Sequence, residues 1–488
     1  MNRTRRPAVA LVIVSTASVL TALGGAASPA VAALAASSVR SVPAAGIKGD
    51  PQPELKPFEI SSTDGNGTIS MEPDGSLVAV YNVSGGDGRT RVCQLKRTGT
   101  KCTATVTLTP LDDDSVNGVP QVFVTSADHV SVLQSACCDA DPNGDVLFDS
   151  ANGGSSFGAA VRVGSIDASV ATLSSGEIAF TEGDTSAGTL VESVPFDASG
   201  PPPIYAQPNS KIAADVGIGN FGGGVLVGAD DAGSPDTTYV EYAAPETNFD
   251  SSGSYVEAGA FSKSELIGIS GGALLTENTT GKDTVELRMF GGVSFGAAHA
   301  VPGTSGGGPE WFAVYQDPSG AVHVFSERGK ASPGYDLIEE STSDGGARWS
   351  APVDLGDAIT NNFFSVALDR HGAGLVLGTG GGKAYGYPVL APQTVSFALK
   401  SGSIGVGHST TASGKVSPVG KGRKVFLQVE RSGLWYTVAT AHESSTGTFS
   451  FTIKGSSAGT FDYRAVVNDQ IGYLMYGYSA ARTLQVTG

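Results

Sequence analysis

The feature that most constrains this chain is a turn motif that recurs at long, regular intervals. Its clearest copy is Thr342-Ser343-Asp344-Gly345-Gly346-Ala347-Arg348-Trp349, with a hydroxyl, an acid, a glycine and an aromatic at fixed offsets. Strand-like runs at 335–340 and 351–355 flank it. These residue types suit a tight turn. The Asp344 carboxylate can fold back onto nearby backbone N–H groups, the glycines permit positive φ, and Trp349 plugs the turn into apolar surroundings. A second copy is Ser150-Ala151-Asn152-Gly153-Gly154-Ser155-Ser156-Phe157, with Asn for Asp and Phe for Trp. A weaker copy, Phe290-Gly291-Gly292-Val293-Ser294-Phe295, lacks the acid, and Cys102 takes the aromatic position in the first repeat. Positions 102, 157, 295 and 349 lie about one, three and one intervals of roughly 50 residues apart, a length that holds four short strands and their turns.

Each unit reads as strand, Asp/Gly turn, strand, polar loop, strand, box turn, strand. Second strands are expected at 77–81, 130–133, 177–180, 224–227, 273–276, 322–325 and 374–377. Two degenerate units, near Phe196 and Phe249, fill the long gap. The last unit stops at 385–390 without a fourth strand, while 58–61 precedes the first unit. We expect 58–61 to supply the missing strand, which removes two exposed sheet edges. With 67 glycines and only 16% charged residues, the composition suits many short strands joined by tight turns.

The two fuller copies of the motif, one good and one fair, resemble the Asp box, or BNR repeat, of sialidase-like β-propellers. The resemblance covers 58–391, about two thirds of the chain. It implies an all-β propeller, with seven blades favoured by the unit count and six the alternative. It also implies that the box residues Ser150, Asn152, Gly154, Phe157, Thr342, Asp344, Gly346 and Trp349 are structural. The ligand face would then be the opposite one, formed by the loops joining second and third strands.

The remaining segments differ in character. Residues 1–35 read as a signal peptide: Arg3, Arg5 and Arg6 precede an apolar run from Ala8 to about Leu23, followed by A-x-A-like sites. Residues 36–57 form a Pro/Ala/Gly-rich leader. Residues 392–488 alternate at period two with a turn about every ten residues, and are similar to the Ig-like β-sandwiches of secreted bacterial proteins. No second apolar span follows the first, so the expectation is a secreted, extracellular protein, monomeric and without stable membrane insertion. Formal net charge is −17, which argues against nucleic acid and anionic membrane as partners.

Four cysteines in an exported chain suggest two disulfides. Cys93 and Cys102 flank a turn and can face each other across a hairpin; Cys137 and Cys138 are adjacent. The favoured pairing is 93–102 with 137–138, although four cysteines allow three pairings.

The ligand-face candidates are Arg89, Arg91, Asp230, Asp231, Arg328 and Tyr335. The most specific loop is Asp139-Ala140-Asp141-Pro142-Asn143-Gly144-Asp145, similar to the front half of a calcium loop, with alternating Asp139, Asp141, Asn143 and Asp145 aiming oxygens at one point. The closing bidentate acid is missing, since Ser150 stands there, so an ordinary Asn-Gly hairpin is the other reading. Calcium is the one cofactor this suggests; none is required.

Sialidase chemistry would need an arginine triad, with its first member in a Phe-Arg-Ile-Pro-like motif. The opening strand here is Gly67-Thr68-Ile69-Ser70-Met71-Glu72-Pro73, without arginine. Six histidines are scattered without metal-ligand spacing. Glu182, Glu277 and Glu327 are the weak catalytic candidates, as acid pairs for glycoside hydrolysis. The leading expectation is a non-catalytic, sialidase-like module that binds glycan or a cell surface. The alternatives are an exo-glycosidase with a diverged site and a structural envelope protein.

Overall fold

A computed structural model describes residues 56–488 apart from a set of loops, chiefly 84–88, 110–118, 135–144, 196–203, 206–211, 244–255, 305–311 and 330–334; over 162–283 it describes backbone alone. The expected signal peptide and all of the leader but its last two residues lie outside the described residues. So do Cys137, Cys138, Asp139, Asp141 and Asn143, while Asp145 is described only as the first residue of a strand.

The described residues form two compact units, 56–389 and 390–488. The first contains seven four-stranded antiparallel sheets. Sheet 1 comprises Asp64–Met71, Leu77–Val83, Thr90–Leu95 and Cys102–Leu108. Sheet 2 comprises Gln121–Val124, Val130–Gln134, Asp145–Ser150 and Val161–Gly164. Sheet 3 runs from Ile166–Thr172 through Glu177–Thr185 and Gly188–Pro195 to Ile204–Tyr205. Sheet 4 has Ile212–Phe221, Gly224–Asp231, Ser234–Ala243 and Val256–Ala260. Sheet 5 has Lys263–Ile269, Gly272–Asn278, Val285–Phe290 and His299–Ala300. Sheet 6 has Phe312–Gln316, Val322–Gly329, Tyr335–Thr342 and Val353–Ala358. Sheet 7 has only three strands from its own stretch, Phe363–Leu368, Gly374–Gly380 and Lys383–Val389. Its fourth is Phe58–Ser61, which pairs antiparallel with Lys383–Val389, as the strand count required. All seven expected second strands fall within observed second strands.

Burial explains the sequence pattern. In Leu77–Val83 the first five residues are fully buried in succession, because a second strand has neighbours on both edges and packed sheets on both faces. The outer strand Cys102–Leu108 is mostly exposed. Apolar clusters fill the spaces between sheets 1 and 2, 5 and 6, and 6 and 7. Side-chain hydroxyls link first strands whose outer edges have no ladder partner. Ser365 of sheet 7 accepts from Ile69 N of sheet 1 at 3.0 Å. Thr68 of sheet 1 accepts from Val122 N of sheet 2 at 3.0 Å and donates to Pro120 O at 3.0 Å. The last sheet therefore touches the first.

The second unit packs two sheets around one core. One is three-stranded: Thr394–Leu399, Ser409–Ser417 and Thr448–Lys454. The other runs Ser403–Gly405, Arg482–Thr487, Gly459–Val467, Lys424–Arg431, Leu434–His442, with Gly477–Tyr478 beside Gly459–Val467. Phe397, Phe449 and Phe451 of the first meet Leu427, Val467 and Leu484 of the second. A buried knot fixes where the chain enters. Arg423 Nε donates to Glu443 at 2.8 Å, and its other nitrogens donate to Gln393 Oε1 and Pro418 O, both at 2.6 Å.

Candidate functional site

An antiparallel meander sends its turns to two ends. First-to-second and third-to-fourth turns share one end, the turn end; second-to-third loops occupy the other, the loop end. Both fuller box motifs join third and fourth strands, so they lie at the turn end. Their hydrogen bonds correspond atom for atom. Thr342 Oγ1 donates to Asp344 Oδ1 at 2.9 Å, Gly346 N donates to Thr342 Oγ1 at 3.0 Å, and Arg348 N donates to Asp344 Oδ1 at 2.9 Å. Ser150 Oγ donates to Asn152 Oδ1 at 3.0 Å, Gly154 N to Ser150 Oγ at 2.8 Å, and Ser156 N to Asn152 Oδ1 at 2.9 Å. Asn substitutes for Asp because only the Oδ1 acceptor is used. The hydrogen bonds from Arg348 N–H and from Thr342 hold the exposed Asp344 carboxyl below the usual range. Gly345 and Gly346 have φ of 70° and 95°, Gly153 and Gly154 of 66° and 76°, so both glycines of each box are required.

Each box docks on the preceding sheet. A Cβ at Gly346 would lie 2.7 Å from His299 Cβ and 3.3 Å from Leu287 Cδ2 of sheet 5, and Trp349 packs against the apolar cluster between sheets 5 and 6. The Gly153 carbonyl accepts from Gln94 Nε2 of sheet 1, and Phe157 packs against the core between sheets 1 and 2. Sheet 1 has no aromatic plug. There Cys93 and Cys102 form the expected disulfide across the hairpin, nine residues apart. Arg97, inside that loop, pairs with Asp369 of sheet 7.

A second turn repeats at the same end, between first and second strands. In 317–321 the Asp317 N donates to Ala321 O at 2.9 Å and Gly320 N to Asp317 O at 2.9 Å. In 369–373 the Asp369 N donates to Ala373 O at 2.8 Å and Gly372 N to Asp369 O at 2.9 Å. Oδ1 of each aspartate caps its own turn, accepting from Ala321 N at 3.0 Å and from Ala373 N at 3.1 Å. Oδ2 is left for a cation. For Asp317 that cation is His323, whose Nε2 lies 3.3 Å away and whose Nδ1 lies 2.9 Å from Glu339 Oε1. All three groups are buried, with exposures of 4%, 6% and 7% in the order Asp317, His323, Glu339. Burial alone pulls the imidazole down, but hydrogen bonds to Asp317 and Glu339 and their charges outweigh it and push His323 up to about 9. Burial likewise opposes the charge on Asp317, and the His323 hydrogen bond brings its carboxyl below the ordinary value. An imidazole with both nitrogens on carboxylates carries both protons and has no lone pair to act as a base. This triad is a staple. No spacing rule singles it out, because Glu339 joins it through the strand register.

The remaining candidates gather at the loop end, on different sheets. Arg89 is exposed just before the third strand of sheet 1, and Arg91 is half-buried on it. Asp230 and Asp231 close the second strand of sheet 4, on a strand end rather than in a loop. Glu182, Glu277 and Glu327 occupy second strands of sheets 3, 5 and 6. The side chains of Glu182, Asp230, Asp231 and Glu277 lie outside the described residues. Arg328 is exposed and Tyr335 half-buried, close in register on adjacent strands of sheet 6. Glu327 is corrected from an open rim position: it is 3% exposed. It shares a strand face with Phe325, which packs toward sheet 7, because side chains two apart point the same way. One pairing at this end was not legible in the sequence. Lys383 Nζ donates to Glu59 Oε2 at 3.0 Å, and Tyr385 OH donates to the same oxygen at 3.4 Å. The Glu59 hydrogen bond raises the exposed Lys383 ammonium above its ordinary value. Glu59 and Lys383 are 324 residues apart in sequence, and the pairing of Phe58–Ser61 with Lys383–Val389 brings them together.

Among the described residues no cluster of three or more His, Cys, Asp or Glu is arranged to hold a metal ion. No helix among them is long and apolar enough to cross a membrane. Comparison with known proteins gives fold-level likeness only. No family model matches the chain, and no curated protein matches it by sequence. Among solved structures it is similar to Hadza microbial sialidase Hz136, with TM-score 0.37, 8% identity, 67% of this chain and 65% of that one covered. It is also similar to the SapL1 lectin solved with alpha methyl fucoside, with TM-score 0.37, 13% identity, 62% of this chain and 99% of the lectin. A third is a subtype N10 neuraminidase-like protein of A/little yellow-shouldered bat/Guatemala, with TM-score 0.37, 7% identity, 56% of this chain and 94% of the other. The chain spans 65% of the length of the sialidase.

Proposed function

We propose that this protein is a secreted, sialidase-like, seven-bladed β-propeller with an Ig-like C-terminal sandwich, and that it binds glycan or another surface ligand at the loop end without catalysing a reaction. One observation carries the reading: at the turn end the hydroxyls and Oδ1 acceptors of both boxes are consumed internally and the turns are packed on the preceding sheet. With those groups already used, recognition falls to the loop end, where Arg89, Arg91, Arg328 and Tyr335 stand. The seven sheets, with the first strand completing the last sheet, support the blade count. The alternating core of the second unit supports the Ig-like assignment. The Cys93–Cys102 bond is in keeping with an oxidising compartment. Calcium at Asp139, Asp141, Asn143 and Asp145 is part of the proposal.

A glycan array and a cell-wall pull-down with the whole chain test the binding reading. Retention is expected, weakened by Arg89→Ala or Arg328→Ala; a clean negative in both favours a structural envelope role. A panel of fluorogenic glycosides, sialosides included, tests the absence of catalysis. Saturable turnover abolished by Glu277→Gln or Glu327→Gln overturns it in favour of an exo-glycosidase. A thermal melt unchanged by chelator removes calcium.

A further inference from the structure

The third-to-fourth turn docks on the preceding sheet in sheets 2 and 6 through an aromatic plug. In sheet 1 the same docking is done by different chemistry. The outer strand Cys102–Leu108 is largely exposed and buries little. Within the hairpin, Gly99 N donates to Lys96 O at 2.7 Å and Thr103 Oγ1 donates to Gln94 O at 3.1 Å. The covalent anchor is Cys93–Cys102, with Cys93 fully buried. The loop it closes carries Arg97 over Gly75 to Asp369 of sheet 7. Asp369 Oδ1 is already used by His371 N at 2.8 Å and Ala373 N at 3.1 Å. Oδ2 takes Arg97, making a fixed receptor for the guanidinium. The disulfide lies within sheet 1, and among the described residues the links between first and last sheets are non-covalent: Arg97 with Asp369, Ile69 N to Ser365 Oγ, Thr379 Oγ1 to Asn66 Oδ1 at 3.5 Å, and the four residues Phe58–Ser61 added to sheet 7.

We propose that the Cys93–Cys102 hairpin is a redox-controlled latch that locks the first sheet to the last. In the oxidised state the short closed loop fixes Arg97 in the reach of Asp369. A dithiol reductant breaks the S–S bond. Two electrons and two protons pass from the dithiol to Cys93 and Cys102, which become thiols, and the dithiol becomes a disulfide. The freed hairpin is then held by its turn hydrogen bonds and by the ladder between Thr90–Leu95 and Cys102–Leu108, and the loop that carries Arg97 loses its pre-ordering. The seam opens by local unfolding, while sheets 5 and 6, joined by apolar packing and a box, stay closed. Formation of this bond by thiol–disulfide exchange thus closes the molecule in an oxidising compartment and leaves the seam loose in a reducing one.

Hydrogen exchange by mass spectrometry on the whole chain tests the latch. In Cys93→Ser/Cys102→Ser, amides of Phe58–Ser61, Lys383–Val389 and Asp64–Met71 are expected to exchange at least about tenfold faster, with Val322–Gly329 unchanged. Arg97→Gln with the disulfide intact should give the same pattern. Adding Arg97→Gln to the cysteine variant should add little, because both changes remove one interaction. Should the cysteine variant fail to fold, reduction of folded Cys137→Ser/Cys138→Ser protein by a dithiol supplies the same measurement. Unchanged seam exchange, or full additivity of the two perturbations, overturns the latch and leaves a local staple of the hairpin.

Discussion

Two turns with the same hydrogen-bond pattern, 317–321 and 369–373, teach how one motif serves two purposes. Each begins with an aspartate whose Oδ1 caps the turn and whose Oδ2 takes a cation. Asp317 finds His323 in its own sheet, buried with Glu339. Asp369 finds Arg97 in the neighbouring sheet, with side-chain exposures of 22% for the arginine and 13% for the aspartate. The first arrangement stiffens one sheet; the second joins the last sheet to the first. The corresponding turn of sheet 1 begins with a glutamate instead. Glu72 N donates to Ser76 O and Gly75 N to Glu72 O, both at 2.8 Å, and burial, helped by Asp74, pushes the Glu72 carboxyl up to about 7.

Removing the buried cation should do the most damage. His323→Leu strands two carboxylates in the core and is expected to cost about 3–5 kcal/mol, read as a fall in the calorimetric melting temperature of the first unit. A stability close to wild type would mean that water reaches the pair.

The same contrast has a pH signature. The folded value of His323, about 9, lies above its unfolded value of 6.5. Its contribution is therefore fully present below about pH 6.5 and is lost as pH rises toward 9. The loss is on the order of 3 kcal/mol. Arginine keeps its charge over this range, so the Asp369 turn should not share the loss. Melts between pH 6 and pH 9.5 should show the decline in wild type and an equal decline in Arg97→Ala, whose pair does not titrate in this range; a flat wild-type curve would break the comparison.

Arg97→Ala should cost less, about 1–2 kcal/mol, because the pair is partly exposed and screened. Its effect should shrink with added salt, unlike that of His323→Leu; equal salt dependence would erase the distinction between the turns. The smallest effect is expected in the box. Asp344→Asn should leave the melting temperature nearly unchanged, because Asn152 already makes the corresponding bonds. Asp344→Ala should lower the melting temperature measurably, because it removes the acceptor; a loss for Asn as large as that for Ala would show that the charge, rather than the acceptor, matters.

Much of the architecture was legible before any coordinates. Period-two alternation and repeated turn residues located all seven second strands, and strand counting assigned 58–61 to the last sheet. Those signals are local, and the physics that produces them is local: backbone sterics, glycine at positive φ, and burial of both faces of a second strand. The loop-end residues were legible only as types. Glu327 read as an exposed rim acid because it lies near a polar loop; packing toward sheet 7 buries it.

The sequence by itself determined the repeat, the box turns and the Cys93–Cys102 hairpin, since each is decided within about ten to fifty residues of chain. Only the tertiary structure decided which cation meets which aspartate. His323 reaches Asp317 and Glu339 through strand register, and Arg97 reaches Asp369 from 272 positions away. Such pairs depend on how sheets are brought face to face, and the pattern along one strand carries no record of its neighbour across the seam.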